Sequence, residues 1–172
     1  MWMHEHVNDA YVHRAKLLKY RSRAAFKLLE IHQRYNILKE GYKVIDLGSA
    51  PGSWTQVVVD YVKSSKDDPT VLAVDKVQMS PVPGSEFILG DVTNEETRLE
   101  IGEFFDMQLV DVILSDIAPN FEGDKDCDHM AIAMLNHMAF RLCFNNLKIG
   151  GTVLMKTLQG SFEGQFFVRI YK

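Results

Sequence analysis

From residue 41 onward, short apolar runs alternate with longer segments of helical spacing. Val44-Ile45-Asp46-Leu47, Val71–Val74, Glu86–Leu89, Val110–Leu114 and Thr152–Met155 are brief, rich in β-branched residues and bounded by Gly, Pro or polar clusters. Runs of that length and setting are predicted strands. Between them, Ser53 to about Val62, Asn94–Phe105 with Asn94 as cap, and Asp126–Leu147 are predicted helices, the last ending at Gly150-Gly151. Ahead of this alternation, residues 22–35 place Ala25, Leu28, Leu29 and Ile31 at helical spacing. The expectation is one domain over residues 1–172, with a helical segment over 1–40 and a core over 41–172. Strands alternating with helices define the α/β class, here a Rossmann-like, mostly parallel sheet with helices on both faces.

Charge is distributed unevenly over this plan. Residues 1–40 hold eight basic side chains, among them Arg14, Arg21, Arg23 and Lys27, against four acidic ones, whereas the rest holds eleven basic against nineteen acidic. The net charge of −4 therefore conceals a basic segment on an acidic body. That is the footprint of local phosphate contact, and also that of a solvated amphipathic helix.

Ligands of open parallel sheets bind beyond the carboxyl ends of the strands. Those ends carry Asp46 and the Gly48–Gly52 loop, then Asp75, Asp91, Asp116 and Lys156. One acidic residue after a strand is commonly a helix cap; five ionisable groups along one edge are not so explained. The first loop, Asp46-Leu47-Gly48-Ser49-Ala50-Pro51-Gly52-Ser53-Trp54, lacks the Gly-x-Gly-x-x-Gly spacing that admits a pyrophosphate. Its glycines and the following helix start suit a carboxylate, and Asp46 suits an ammonium. Asp75 stands where an acid bonds ribose hydroxyls, Asp91 where one accepts from an adenine amino group, and Trp54 where a ring covers the ligand or simply packs. An adenosine joined to an amino acid is S-adenosylmethionine.

Four motifs extend this reading. Arg21-Ser22-Arg23-Ala24-Ala25-Phe26-Lys27-Leu28, the Asp46–Trp54 loop, Ser115-Asp116-Ile117-Ala118-Pro119-Asn120 and Met155-Lys156 resemble the FtsJ-like ribosomal RNA 2′-O-methyltransferases in content and order, over about Trp2 to Gly160. The resemblance implies methyl transfer to a ribose 2′-hydroxyl of large-subunit ribosomal RNA, with S-adenosylmethionine as cofactor and RNA or the large ribosomal subunit as partner. The family's Lys-Asp-Lys-Glu tetrad carries over to Lys27, Asp116 and Lys156 as catalytic residues. Its cofactor contacts carry over to Gly52, Trp54, Asp75, Asp91 and Asp116. Arg21 and Arg23 are the candidates for RNA phosphate contacts. In the mechanism this implies, Lys156 orients the hydroxyl and accepts its proton, while Asp116 and Lys27 set its geometry and charge.

The tetrad's glutamate has no counterpart within the 172 residues, since Glu163 follows Lys156 too soon. The sequence thus implies either a piece of a longer protein or a shortened relative that binds S-adenosylmethionine or RNA without catalysis. In either case the final strand pair is expected to be missing, leaving the sheet an exposed edge. The remaining expectations are exclusions and defaults. Cys127 and Cys143 are too few for a disulfide framework. The Asp126, Cys127, Asp128, His129 cluster lacks metal-ligand spacing, so no metal is expected. No run approaches a membrane span, and no heptad seam argues for more than a monomer. A bacterial-type cytoplasmic protein is expected, a mitochondrial one if the source is eukaryotic.

Overall fold

The computed structural model describes residues 10–118, 125–159 and 163–170. Strands β1 (Val44–Leu47), β2 (Val71–Asp75), β3 (Ser85–Leu89), β4 (Val110–Ser115), β5 (Leu147–Gln159) and β6 (Glu163–Ile170) form one sheet in the order β3-β2-β1-β4-β5-β6. β1 through β5 are parallel, and β6 runs antiparallel beside β5. The helices are α1 (Ala10–Leu17), α2 (Ala24–Tyr35), α3 (Ser53–Val62), α4 (Glu95–Phe104) and α5 (Lys125–Asn146).

Successive side chains of a strand point to opposite faces, and both faces of this sheet are covered. Val44, Val71, Val112, Leu114 and Leu154 meet Ala25, Leu28 and Ile31 of α2 and Val57, Val58 and Val62 of α3. Ile45, Leu47, Leu72, Ile113 and Val153 meet Ile101 of α4, its cap Phe105, and Ala139 and Leu142 of α5. All four residues of β1 are therefore buried, as a central strand covered on both faces requires.

Two irregularities sit in the half of the sheet that carries Lys156. Lys43 O accepts from both Asp111 N and Val112 N, at 2.9 and 3.2 Å. This bulge turns Val110 to the α4–α5 face and Val112 to the α2–α3 face. On the facing strand, pairing jumps from Val110↔Leu147 to Val112↔Thr152, with Gly150 at φ 84° inside the jump.

Three sequence expectations change here. Among the described residues the basic segment forms two helices, parted where Lys19 adopts φ 60°. Gly150-Gly151 does not stop a helix: α5 ends at Asn146, and the glycines lie in the irregular start of β5. The sheet also continues past β5, because β6 pairs along it from Thr152↔Ile170 to Gln159↔Glu163. A single strand covers the edge that was expected to be bare.

Candidate active site

β1 and β4 are neighbours, although β2 and β3 lie between them in sequence. The chain thus leaves β1 in one direction and returns to its other side, which opens a crevice at the carboxyl ends of the two strands. A cavity of about 830 Å³ occupies that crevice, a volume suited to a small-molecule cofactor. Its lining includes Gly48, Ala50 and Pro51 after β1, Asp75–Ser80 after β2, Gly90 and Asp91 after β3, and Asp116–Ala118 after β4. The strand ends are laced together: Gly48 N bonds Val74 O at 2.9 Å, Gly90 N bonds Asp75 O at 2.9 Å, and Asp116 N bonds Leu47 O at 3.0 Å.

The first loop is held close to the loop after β4. Gly48 lies at φ 72°, and a Cβ there would stand 2.8 Å from Ile117 N and 2.9 Å from Ile117 Cα. Only glycine admits this approach without a shift of backbone. Asp75 fixes the same loop: its Oδ2 accepts Ala50 N at 2.9 Å and its Oδ1 accepts Val77 N at 2.8 Å. A carboxylate has about four acceptor positions, so these two bonds orient Asp75 and leave capacity for two hydroxyls. Asp91 Oδ1 accepts the backbone N–H and the hydroxyl of Thr93. The backbone bond is the chief cause that holds Asp91 below the usual carboxylate range.

Beneath these groups lies Asp46, completely buried. Its Oδ2 accepts the Thr55 hydroxyl at 2.7 Å, and its Oδ1 has no hydrogen-bond partner among the described residues. Burial is the main reason its carboxyl is pushed up to about 7; Thr55 opposes the shift, and the carboxylates of Asp116 and Asp75 add to it. An unsatisfied buried acceptor is costly to the folded chain.

At the far side of the crevice Lys156 Nζ stands 2.8 Å from Asp116 Oδ1, with the two side chains 28% and 27% exposed. The contact is a close ion pair. Burial raises the Asp116 carboxyl above its ordinary range, and the Lys156 ammonium pulls it back only in part.

Asp75, Asp91 and Asp116 thus converge on the cavity, and Lys156 reaches it through Asp116. The other sequence candidates, Arg21 apart, stand elsewhere. Trp54 is 3% exposed, packs into the core and donates Nε1–H to Ala24 O at 2.9 Å. Gly52, at φ 104°, caps α3. Lys27 is half exposed on α2, 4.0 Å from Glu30, and Arg23 is exposed at the start of that helix. Arg21 lines the cavity, but its guanidinium is held by backbone carbonyls rather than presented outward. Pro119 and Asn120, and the side chains of Asp126–His129, lie outside the described residues. Reading the sequence alone also passed over Thr55 and Gln56. They follow the glycine loop by a turn of helix, a position from which a side chain can reach back under it.

A sheet of order 3-2-1-4-5 with carboxylates ringing the crevice between its first and fourth strands defines a Rossmann-like nucleoside-binding protein. Comparison with known proteins narrows the class. The profile of the FtsJ-like methyltransferases matches residues 20–172, and the chain belongs to that family. It is 41% identical to the ribosomal RNA large subunit methyltransferase E of Bartonella bacilliformis, over 98% of this chain and 70% of that one. To the protein of the same name from Azoarcus sp. it is 45% identical, over 92% and 76% of the two chains. Among solved structures, a Plasmodium falciparum protein described as a ribosomal RNA methyltransferase superposes with a TM-score of 0.72 at 32% identity, covering 83% of this chain and 80% of that one. Among the described residues no helix is long and apolar enough to cross a membrane.

Proposed function

We propose that this protein transfers the methyl group of S-adenosylmethionine to a ribose 2′-hydroxyl of large-subunit ribosomal RNA. The observation that carries the reading is the Asp116–Lys156 ion pair set at the rim of a carboxylate-ringed cavity. The names of the relatives support the ribosomal substrate, and ribosomal RNA in turn points to the compartment of the ribosome, the cytoplasm in bacteria.

The residues present fit the cofactor. The Gly48 approach brings backbone close to a carboxylate, the orphaned Oδ1 of Asp46 suits an ammonium, the remaining acceptors of Asp75 suit ribose hydroxyls, and Asp91 suits an adenine amino group. Gly52 shapes this loop, and Trp54 anchors its helix to α2. When bound, S-adenosylmethionine supplies an electrophilic methyl group on a sulfonium.

The protein's own task is alignment and proton handling. Holding the hydroxyl in line with the methyl group converts a bimolecular displacement into an internal one, worth several kcal/mol of barrier, about 7–11 kcal/mol at most. Lys156 orients the 2′-hydroxyl and takes its proton as the oxygen–carbon bond forms. A lysine accepts a proton only as the free amine. Burial makes the Asp116 carboxyl reluctant to ionise. Asp116 Oδ1, 2.8 Å from Nζ, holds the lysine in position. Lys27 adds positive charge on the RNA side, and Arg23 with its neighbours on α1 and α2 binds phosphates. All of these groups belong to one chain, which acts as a monomer and calls on no metal.

The test is transfer of labelled methyl from S-adenosylmethionine to undermethylated large ribosomal subunits. Label recovered in alkali-resistant dinucleotides is the expected result. Cofactor binding without transfer would instead mark a relative that binds and does not catalyse.

A further inference from the structure

The segment between α1 and α2 is tied to the cofactor loops by side chains that the reaction does not use. Arg21 donates Nη1–H to Pro51 O at 2.8 Å and to Ser80 O at 2.6 Å, and Nη2–H to Pro81 O at 2.6 Å. Three of its five N–H donors therefore bridge two loops, one after β1 and one after β2, that both line the cavity and form two of its lips. The main chain on either side is tied as well. Gln56 of α3 accepts Arg21 N at 3.0 Å and donates to Lys19 O at 3.1 Å, and Ser22 Oγ shares a 2.7 Å hydrogen bond with Ser53 Oγ. Gly52 fits the same arrangement, because a Cβ there would stand 2.5 Å from Arg21 Nη1.

We infer that Arg21 is a positioning residue: it clamps the two lips of the cofactor cavity and couples cofactor binding to the grip of the basic segment on RNA. A guanidinium fork suits the task, since it reaches several acceptors at fixed angles where an ammonium acts as a point charge. Any ligand that orders the two loops also orders Lys19–Ser22, and the arginines and lysines of α1 and α2 flank that joint. Such linkage is reciprocal: the factor by which cofactor tightens RNA binding equals the factor by which RNA tightens cofactor binding.

The inference rests on the proposed cofactor and RNA, so the test begins with the unaltered protein. Calorimetry measures S-adenosylhomocysteine binding, and filter binding measures affinity for a large-subunit RNA fragment with and without that ligand. Wild-type protein is expected to bind the ligand and to hold RNA several-fold more tightly in its presence. In Arg21→Gln, KM for S-adenosylmethionine is expected to rise roughly tenfold or more, the effect of losing about 1.4 kcal/mol of organisation, while kcat at saturating cofactor stays within a few-fold. The RNA advantage conferred by the ligand should vanish, and the salt dependence of RNA binding should keep its wild-type slope. Arg21→Lys, which keeps the charge but cannot span three carbonyls, should lose the coupling as well, and it carries the test if the glutamine variant does not fold. A variant with unchanged KM and coupling but a shallower salt slope would overturn the inference and make Arg21 a phosphate contact. Failure of wild-type protein to bind the ligand would overturn the proposed function first, and this inference with it.

Discussion

Thr55 donates its hydroxyl to Asp46 Oδ2 at 2.7 Å, while Asp46 Oδ1 has no partner among the described residues. Burial pushes the Asp46 carboxyl up to about 7 from a reference of 3.8. Between those values the folded chain keeps a proton that the unfolded chain has lost. The stability this contributes is fully present below the unfolded value and is lost as pH rises toward about 7. Denaturant unfolding across that window should show stability falling, on the order of 1 kcal/mol per pH unit as an upper bound. Asp46→Asn should flatten the dependence.

His32 gives the opposite slope. Leu38 N–H donates to its Nδ1 at 3.2 Å, its ring lies 4.2 Å from that of Tyr61, and burial lowers its pKa from 6.5. The unfolded state therefore takes up the proton first, and this contribution is present above the unfolded value and lost as pH falls below it. His32→Gln keeps an acceptor and does not titrate; relative to wild type it should gain stability as pH falls below about 6.5.

Lys156→Ala should lower single-turnover methyl transfer by at least about 10²-fold, the usual scale for a positioned proton acceptor. S-adenosylhomocysteine affinity should stay within a few-fold of wild type. Retained transfer would remove Lys156 from the mechanism.

A methyl group at Gly48 would meet backbone atoms, Ile117 N at 2.8 Å and Ile117 Cα at 2.9 Å. Neither the φ of 72° nor the two atoms can yield cheaply. Gly48→Ala should cost about 1–3 kcal/mol in thermal unfolding, and it should weaken cofactor binding more than any exposed substitution on α4.

Arg23→Ala should weaken RNA binding uniformly across sequences and reduce the slope of log affinity against log salt by about one. An unchanged slope would leave the start of α2 as a plain solvated helix.

Much of this arrangement was legible in the sequence, for a local reason. Strands such as Val44–Leu47 and Val71–Asp75 are short apolar runs closed by an acid and a turn, and each carboxylate sits where its own strand ends. Knowing the fold class therefore places Asp75, Asp91 and Asp116 on one edge without any further information. The start of β5 was hidden because a Gly-Gly pair reads as the end of a helix, whereas here it serves an irregular pairing dictated by the bulge opposite. β6 was not legible because its apolar run, Phe166-Phe167-Val168, is short and its pairing to β5 is antiparallel, outside the strand–helix alternation. The hold of Arg21 was beyond reach altogether. Its acceptors are backbone carbonyls some thirty and sixty positions away, and no side-chain pattern encodes them.

The adjacency of β1 and β4 also sets an order of assembly. Val44 pairs with Val112 and Leu47 with Ser115, about seventy residues downstream, and pairings that distant close late because loop entropy must be overcome first. As the chain emerges from its ribosome, Thr55 follows Asp46 by nine residues and is available to it early, whereas β4 comes much later. The nascent protein can therefore assemble its β1–β2–β3 half before the wall bearing Asp116 has been made.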